Sequence, residues 1–270
     1  MREPERVQGR VEGLLAAMGG PLVGVARNAA LIGSVARQTL GAIVRGKIRR
    51  REVVRQCYLI GNQSVLFITV TLGFLGLISV FQVATQMKNI IPDYTLLGAA
   101  FIRTMTNEFA PTICGLMIAT RVGSGIAAEI GSMVVTDQVD ALRMCNADPV
   151  RFLVVPRTVA SAIMLVMLTI YAVLVATAAG MFIANTSFDV PTSTFLNLSL
   201  VRYSDVVIGL IKAVSYGVAI PIVAGQAGLS ASGGSAGVGW ATTRAVVNTS
   251  FTVVILDFII TGVSFFVVGR

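Results

Sequence analysis

Residues Leu59–Phe81 read LIGNQSVLFITVTLGFLGLISVF, a run of 23 residues without Asp, Glu, Lys or Arg. Because a helix needs about 20 apolar residues to cross the hydrocarbon core of a bilayer, this run predicts a transmembrane helix. Four further apolar segments follow, approximately Leu96–Ala119, Val159–Ala184, Val206–Ala227 and Val246–Val268. The sequence therefore predicts an all-α membrane protein with five transmembrane helices.

The composition supports a membrane protein and argues against an enzyme. Hydrophobic residues make up 55% and charged residues 13% of the 270-residue chain, whereas soluble domains carry about 25% charged residues. The sequence contains no histidine, which excludes Ser-His-Asp triads, histidine bases and histidine-ligated metals. The cysteines Cys57, Cys114 and Cys145 are far apart and show no CxxC spacing. We therefore predict no zinc or other metal site and no disulfide framework from these residues, and we expect no cofactor and no catalytic residue in this chain.

Positive charge is concentrated ahead of the first apolar run. Eleven of the 21 Lys and Arg residues lie within residues 1–57, as the positive-inside rule produces at a cytoplasmic flank, and this distribution argues against nucleic-acid binding. We divide the chain into a basic cytoplasmic or interfacial segment (1–57) and a five-span domain (58–270). Apolar residues between Val11 and Val44 recur at helical spacing with arginines among them. This segment is expected to form an amphipathic helix that lies in the membrane interface or, alternatively, packs on a partner.

The distribution of basic residues among the loops predicts the topology. With a cytoplasmic N-terminus, the loops 121–157 and 228–243 are also cytoplasmic, and they contain or adjoin five arginines. The two external loops contain only one lysine and one arginine, and five spans place the C-terminus outside the cytoplasm. The glycine-rich stretch Ser230–Gly239 lacks the Lys-Ser/Thr of a phosphate-binding loop, so we expect it to be a flexible loop that binds no ATP.

The loop between the second and third spans carries an acidic and apolar pattern. Glu129, Met133, Thr136 and Asp140 are spaced i, i+4, i+7 and i+11, which places them on one face of a helix. The pattern predicts a short cytoplasmic helix, which either docks into a cleft of a soluble partner or is an ordinary solvated loop helix. The candidate contact residues are Glu129, Met133, Asp137, Gln138 and Asp140.

The same loop resembles a family signature. It reads GSGIAAEIGSM at Gly123–Met133, TDQVDALRM at Thr136–Met144 and DPVRFLVVPR at Asp148–Arg157. These motifs resemble the signature of the MlaE/YrbE permeases, which are the membrane subunits of MCE-associated ABC phospholipid transporters. Further motifs that match are Val54-Arg-Gln-Cys-Tyr58, Glu108-Phe-Ala-Pro111, Ile211-Lys212, Tyr216-Gly217, Gly237–Val247 and Asp257-Phe258. The resemblance covers about residues 50–267.

The resemblance implies a non-catalytic permease of the bacterial inner membrane that exchanges phospholipid with a periplasmic MCE-domain protein, expected to be a hexamer. A separate cytoplasmic ABC ATPase, which binds ATP and Mg, would dock on the loop between the second and third spans. The permease would pair with a second permease copy, identical to it or alternatively a paralogue, and a small STAS-type regulatory subunit would be a further partner. Such systems maintain outer-membrane lipid asymmetry or traffic lipids. The N-terminus would be cytoplasmic and the C-terminus periplasmic.

Charged residues inside the spans are expected to be paired or to face water, since each costs about 2.5–3.5 kcal/mol at mid-bilayer. Candidates for a lipid path are Arg103, Asn107 and Glu108, although Glu108 alternatively forms a structural ion pair or a hydrogen-bonded kink at a nearby proline. Asn107 stands where family members commonly carry arginine, and Arg103 lies one turn earlier on the same face and can supply the displaced guanidinium. Lys212 and Asp257 are predicted to form an ion pair between the fourth and fifth spans.

Two other functional classes are alternatives to the ABC permease. An ion-coupled secondary transporter would use Glu108 or Asp257 as a proton-carrying carboxylate, but such proteins normally show repeat symmetry, and the sequence has no visible repeat. A membrane enzyme of lipid metabolism would need clustered acidic metal ligands or histidines at a membrane edge, which the sequence lacks.

Overall fold

A computed structural model of the chain describes residues 28–46, 49–90 and 94–268, without the side chains of residues 88–90 and 268. Every secondary-structure element of these residues is helical. The helices are α1 (28–44), α2 (Arg50–Ile90), α3 (Leu97–Thr104), α4 (Ala110–Ile118), α5 (Ser124–Val135), α6 (Gln138–Met144), α7 (Val155–Phe188), α8 (Thr192–Phe195), α9 (Tyr203–Leu229) and α10 (Gly234–Val268). Single π-helical turns lie at Met105–Phe109, Ala119–Gly123 and Val150–Val154.

Five helical stretches are long and apolar enough to cross a membrane, which confirms the predicted number of spans and the helix that precedes them. Spans 1 to 5 are Arg50–Met87, Leu97–Val135, Val150–Phe188, Tyr203–Leu229 and Gly234–Val267. They extend beyond the apolar segments of the sequence. At 1.5 Å per residue α2 is about 61 Å long, against a hydrocarbon core of about 30 Å. The helices continue past the core because each added residue gains a backbone hydrogen bond once a helix has formed.

The bundle is centred on span 3 and span 4. Span 3 packs along span 1 and span 4, and span 4 also packs against span 5 and α5. Close helix crossings need small residues, as is common between helices in membranes. A Cβ atom on Gly76 would lie 2.5 Å from the carbonyl oxygen of Ala176, and one on Gly217 would lie 2.6 Å from Cα of Ala162. These glycines allow span 1 and span 4 to lie directly against span 3.

Span 2 is interrupted by two of the π-helical turns. The first, Met105–Phe109, comes just before Pro111, which has no N–H and whose ring would clash with the carbonyl of residue 107 in a regular α-helix. A π-helical turn widens the helix at this point and relieves the clash. As a result, Asn107 and Glu108 lie in a locally widened turn.

The loop between spans 2 and 3 contains the predicted short helix, but the single predicted face is wrong. Helix α5 ends at Val135, and α6 begins only at Gln138. Between them Asp137 adopts a left-handed conformation with φ 57°, which changes the direction of the chain. Glu129 and Asp140 therefore belong to two different helices, so the 3.6-residue period does not extend from one to the other.

The glycine-rich stretch after span 4 is mostly helical, so the expected flexible loop at Ser230–Gly239 is also wrong. Span 4 ends at Leu229 and α10 begins at Gly234, which leaves a turn of four residues. Gly233 and Gly234 have φ values of +87° and +70°, which side-chain-bearing residues rarely adopt. A Cβ on Gly237 would lie 1.7 Å from the carbonyl oxygen of Ser232. The glycines here allow a tight turn and a close approach of the backbone.

Helix α1 packs on the bundle at the end where spans 2 and 3 meet. Val35 belongs to a buried cluster that includes Ile126, Val139 and Leu153, while Leu40 and Val44 remain exposed. An exposed apolar face on a helix beside the ends of the spans is the pattern of an interfacial helix. Interfacial location stays a prediction, and the part of the predicted amphipathic helix at residues 11–27 lies outside the described residues.

Candidate functional site

Three of the charges within the spans meet in one cluster, which we call the central charge cluster (Glu108, Lys212 and Asp257). Lys212 is completely buried, and its Nζ atom contacts Glu108 Oε2 and lies 3.0 Å from Asp257 Oδ1. The structure thus brings together the predicted pair of Lys212 and Asp257 and adds Glu108 to it. Spans 2, 4 and 5 each contribute one residue. A buried lysine is tolerated here because both carboxylates offset its desolvation.

Hydroxyl groups complete the cluster. Tyr216 donates a 2.7 Å hydrogen bond and Thr112 a 3.0 Å hydrogen bond to Asp257 Oδ1, and Thr261 donates a 3.3 Å hydrogen bond to Glu108 Oε1. The sequence analysis missed these three residues, although a signal was present. Each of the three charged residues of the cluster is followed by a hydroxyl residue four positions later, one turn away on the same helix face. The hydroxyls then reach across to a carboxylate on a neighbouring span.

The three lipid-path candidates line a single cavity. Arg103, Asn107 and Glu108 surround a volume of about 310 Å³, together with Ala100, Thr104 and Leu200. The Oδ1 atom of Asn107 is buried and has no hydrogen-bond partner among the described residues. Buried polar atoms normally have a partner, so this carbonyl oxygen is an unsatisfied acceptor on a residue that lines the cavity. We call this volume the span 2 cavity.

Arg103 has a partner that the sequence analysis did not identify. Its Nε atom lies 3.1 Å from Asp205 Oδ2 at the start of span 4, and the same oxygen accepts a hydrogen bond from the backbone N–H of Arg202. The side chain of Arg103 remains 45% exposed. The guanidinium has five N–H donors, so it can pair with Asp205 through Nε while its terminal nitrogens serve the cavity.

The predicted coupling residues divide into two groups. Glu129 forms a 2.7 Å ion pair with Arg157 of span 3, and Met133 lines a cavity beside that pair. In contrast, Asp137 is exposed on the turn between α5 and α6, and Gln138 and Asp140 are exposed in the first turn of α6. Asp140 forms only a surface ion pair with Arg143, at 2.8 Å. The turn and α6 therefore present an exposed acidic surface, whereas Glu129 and Met133 belong to the wall of the bundle.

The described part of the chain offers no arrangement for a metal ion. It contains no group of three or more Cys, Asp or Glu side chains that could hold one. Cys114 is buried, Cys57 is half-buried and Cys145 is exposed, and all three are free thiols.

Comparison with known proteins assigns the chain to a family. The model of the family described as Permease MlaE matches residues 53–263. A probable ABC transporter permease protein of Synechocystis sp. is 36% identical over 225 residues, which cover 83% of this chain and 85% of that protein. A protein of Pyropia yezoensis with the same description is 32% identical over 225 residues, covering 83% and 85%. One of Rickettsia felis is 32% identical over 228 residues, covering 84% and 88%.

The family match extends over residues 53–263, which include the central charge cluster and the turn between α5 and α6. The family match and the similar permeases confirm the resemblance seen in the sequence motifs and favour an ABC permease over an ion-coupled secondary transporter. A permease of this kind depends on a partner ATPase for ATP hydrolysis and has no catalytic role of its own. The chain therefore belongs to the MlaE permease family and is a multi-pass, non-catalytic permease subunit of an ABC transporter.

Proposed function

We propose that this permease moves phospholipids between the bacterial inner membrane and a periplasmic MCE-domain partner, with energy from a separate cytoplasmic ATPase. The observation that carries the proposal is the span 2 cavity, where Arg103, Asn107 and Glu108 meet next to the central charge cluster. A volume of about 310 Å³ is at the lower end for ligand pockets. It suits a lipid headgroup, with the acyl chains remaining on the apolar surface of the spans.

The residues of the cavity have complementary roles toward a headgroup. The terminal nitrogens of Arg103 can donate to a phosphate, and the unpartnered Oδ1 atom of Asn107 can accept from a hydroxyl or ammonium group. Glu108 is held by Lys212 and Thr261, so it forms a fixed wall rather than a mobile ligand. Family members commonly carry arginine at the position of Asn107. This cavity therefore has one positive charge fewer than the cavity of such members would have.

The turn between α5 and α6 is the proposed docking site of the ATPase. Asp137 in this turn and Gln138 and Asp140 at the start of α6 are exposed, and Glu129 and Met133 lie at the adjoining end of α5. Span 2 is one helical rod from the span 2 cavity to this turn, and its π-helical turns at Met105–Phe109 and Ala119–Gly123 are points where helical hydrogen bonding can shift. Movement at the ATPase can thereby reach the cavity.

The remaining parts of the proposal concern orientation and assembly. We place the N-terminus in the cytoplasm and the C-terminus in the periplasm, on the distribution of basic residues in the sequence. The assembly contains a second, identical permease copy, a hexameric MCE-domain protein and a STAS-type regulatory subunit. Large apolar side chains of span 5, including Phe251, Phe258 and Phe265, are exposed and can be covered by lipid or by the second copy.

A transfer assay tests the lipid path. The full complex in proteoliposomes would be supplied with labelled phospholipid, and transfer to the MCE-domain protein would be measured. Asn107→Leu removes the unpartnered acceptor and places an apolar side chain at the cavity, so we expect transfer to fall about tenfold, as for the loss of one hydrogen bond to a charged group. Asn62→Leu, on the exposed surface of span 1, is the control and should transfer lipid normally. Equal transfer by both variants would contradict a path through this cavity.

A pulldown tests the docking site of the ATPase. Gln138→Lys adds one positive charge to the exposed start of α6, and Gln38→Lys adds the same charge to the exposed face of α1. An acidic docking surface is complementary to a basic surface on the ATPase, and an added positive charge would weaken that association. We therefore expect Gln138→Lys to retain less ATPase on the permease and Gln38→Lys to retain a normal amount. Loss of the ATPase in both variants, or in neither, would contradict docking at this turn.

A further inference from the structure

A second, larger cavity lies at the opposite end of the bundle from the span 2 cavity. It has a volume of about 580 Å³ and is bounded by the beginning of span 1, the end of span 2 and the beginning of span 3. All three ends lie on the same side of the membrane as α1. Its charged lining residues are Arg49, Arg51, Glu52, Arg55, Glu129 and Arg157. We call it the arginine cavity.

The arginine cavity has an excess of positive charge. Four guanidinium groups and two carboxylates leave two positive charges without compensation. Glu129 is engaged by Arg157 at 2.7 Å, and Glu52 is approached by Arg55 at 3.6 Å. Within the described part of the chain, neither Arg49 nor Arg51 makes an ion pair, so both guanidinium groups remain available to a ligand anion.

One of the arginines is fixed in the cavity wall. Arg157 is 4% exposed, and it donates to the carbonyl oxygen of Leu153 at 3.2 Å as well as pairing with Glu129. These contacts hold the guanidinium in one orientation. The guanidinium has five N–H donors, so these contacts leave some donors unused. Because the side chain is already held in place, binding an anion would cost little additional conformational entropy.

The position and apolar lining of the cavity indicate what kind of anion it takes. By helix rise, Arg55 lies about 6 Å and Arg51 about 12 Å outside the start of the apolar run at Leu59, which is the depth of the lipid headgroups and their outer edge. Apolar groups also line the cavity, and the guanidinium carbon of Arg49 lies 4.5 Å from the centre of the Phe152 ring. A charged rim over apolar surface matches a headgroup with its glycerol backbone better than a free inorganic ion. Basic pockets between transmembrane helices bind anionic lipid headgroups in this way.

We propose that the arginine cavity binds the phosphate of an anionic phospholipid from the leaflet on the α1 side of the membrane. This site is separate from the span 2 cavity and does not require the proposed transport activity. It also gives Glu129 and Met133 a place in a lipid site rather than on the ATPase surface. The bound lipid would join spans 1, 2 and 3 at this end of the bundle.

The test measures lipid binding to the full-length permease alone, so its result is independent of transport. Purified, delipidated protein in neutral detergent would be titrated with phosphatidylglycerol, and bound lipid would be counted by native mass spectrometry alongside the thermal midpoint. Arg49→Gln/Arg51→Gln removes two unpaired charges of the cavity, so we expect about tenfold weaker binding or more. Arg45→Gln/Arg50→Gln removes two exposed arginines outside the cavity and should bind as the unchanged protein does.

Further titrations separate the sources of phosphate. Phosphatidylcholine should bind clearly more weakly than phosphatidylglycerol, and inorganic phosphate or glycerol 3-phosphate should not replace the lipid at equal concentration. Equal losses in the two double variants would show general surface attraction and overturn the proposal. Stabilisation by inorganic phosphate equal to that by lipid would overturn the assignment to a lipid. Normal lipid binding with loss of the ATPase in Arg49→Gln/Arg51→Gln would assign the cavity to the ATPase instead.

Discussion

The central charge cluster and the arginine cavity use charge in opposite ways. In the cluster, Lys212 is fully buried between two carboxylates, and three hydroxyl groups complete their hydrogen bonds. In the cavity, two of four arginines have no ion-pair partner among the described residues. Depth in the membrane explains the difference, because a charge in the hydrocarbon core must be paired within the protein. A charge at the headgroup level can remain available to a ligand.

The largest effect is expected when the cluster loses its cation. Lys212→Met leaves Glu108 and Asp257 as two carboxylates facing each other without compensation, at a cost of roughly 3–5 kcal/mol. We expect a lower yield and a clearly lower thermal midpoint in detergent, measured by size-exclusion chromatography after heating. Adding Glu108→Gln and Asp257→Asn to Lys212→Met should recover part of the loss. A single variant as stable as the unchanged protein would mean that the cluster does not stabilise the bundle.

A smaller effect is expected at the hydroxyl groups of the cluster. Tyr216→Phe removes the 2.7 Å hydrogen bond to Asp257 while keeping the ring, and hydrogen bonds to charged groups contribute about 1.5–3 kcal/mol. Tyr203→Phe is the matched control, because this side chain is 86% exposed and should show almost no change. The thermal midpoints of the two variants give the comparison. Equal midpoints would show that Asp257 does not depend on Tyr216.

Arg157 is intermediate between Lys212 of the central charge cluster and the exposed arginines of the arginine cavity, because it is buried but lies close to the membrane edge. Its partner Glu129 is 57% exposed, so the ion pair is partly screened by solvent. We therefore expect Arg157→Gln to lower stability by about 1 kcal/mol, less than any loss at Lys212. Chemical or thermal unfolding of the delipidated protein would measure it. A loss as large as that of Lys212→Met would mean that burial, and not depth in the membrane, sets the cost.

The smallest effect is expected at the exposed rim of the arginine cavity. Arg51→Gln removes a charge without an ion-pair partner in the described part of the chain, and surface substitutions of this kind usually change stability by less than about 0.5 kcal/mol. The thermal midpoint in lipid-free detergent should therefore hardly change. A marked loss without lipid would show that Arg51 supports the fold and is not reserved for a ligand.

Sequence reasoning predicted the spans well and the local breaks poorly. The five spans follow from long apolar runs, because the bilayer requires helices and fixes their minimum length. The pairing of Lys212 with Asp257 could be predicted for a similar reason, since two intramembrane charges on neighbouring spans need partners. The helix break at Asp137 could not be predicted in this way. A residue in the left-handed conformation does not change the 3.6-residue spacing of the apolar residues around it. The glycines at 233 and 234 were mistaken for flexibility, although they form a tight turn.

The amino-acid sequence by itself determined the class of protein, the number of spans, the family and the identity of the intramembrane charges. These depend on composition and on local periods, which the membrane solvent constrains strongly. Only the tertiary structure decided that Glu108 joins Lys212, that Asp205 holds Arg103, and that Arg157 shares a cavity with arginines about a hundred residues earlier in the chain. Those partners lie far apart in sequence, and they meet only because of how the spans pack. Small residues such as Gly76 and Gly217 decide that packing, because they allow two spans to cross at close distance.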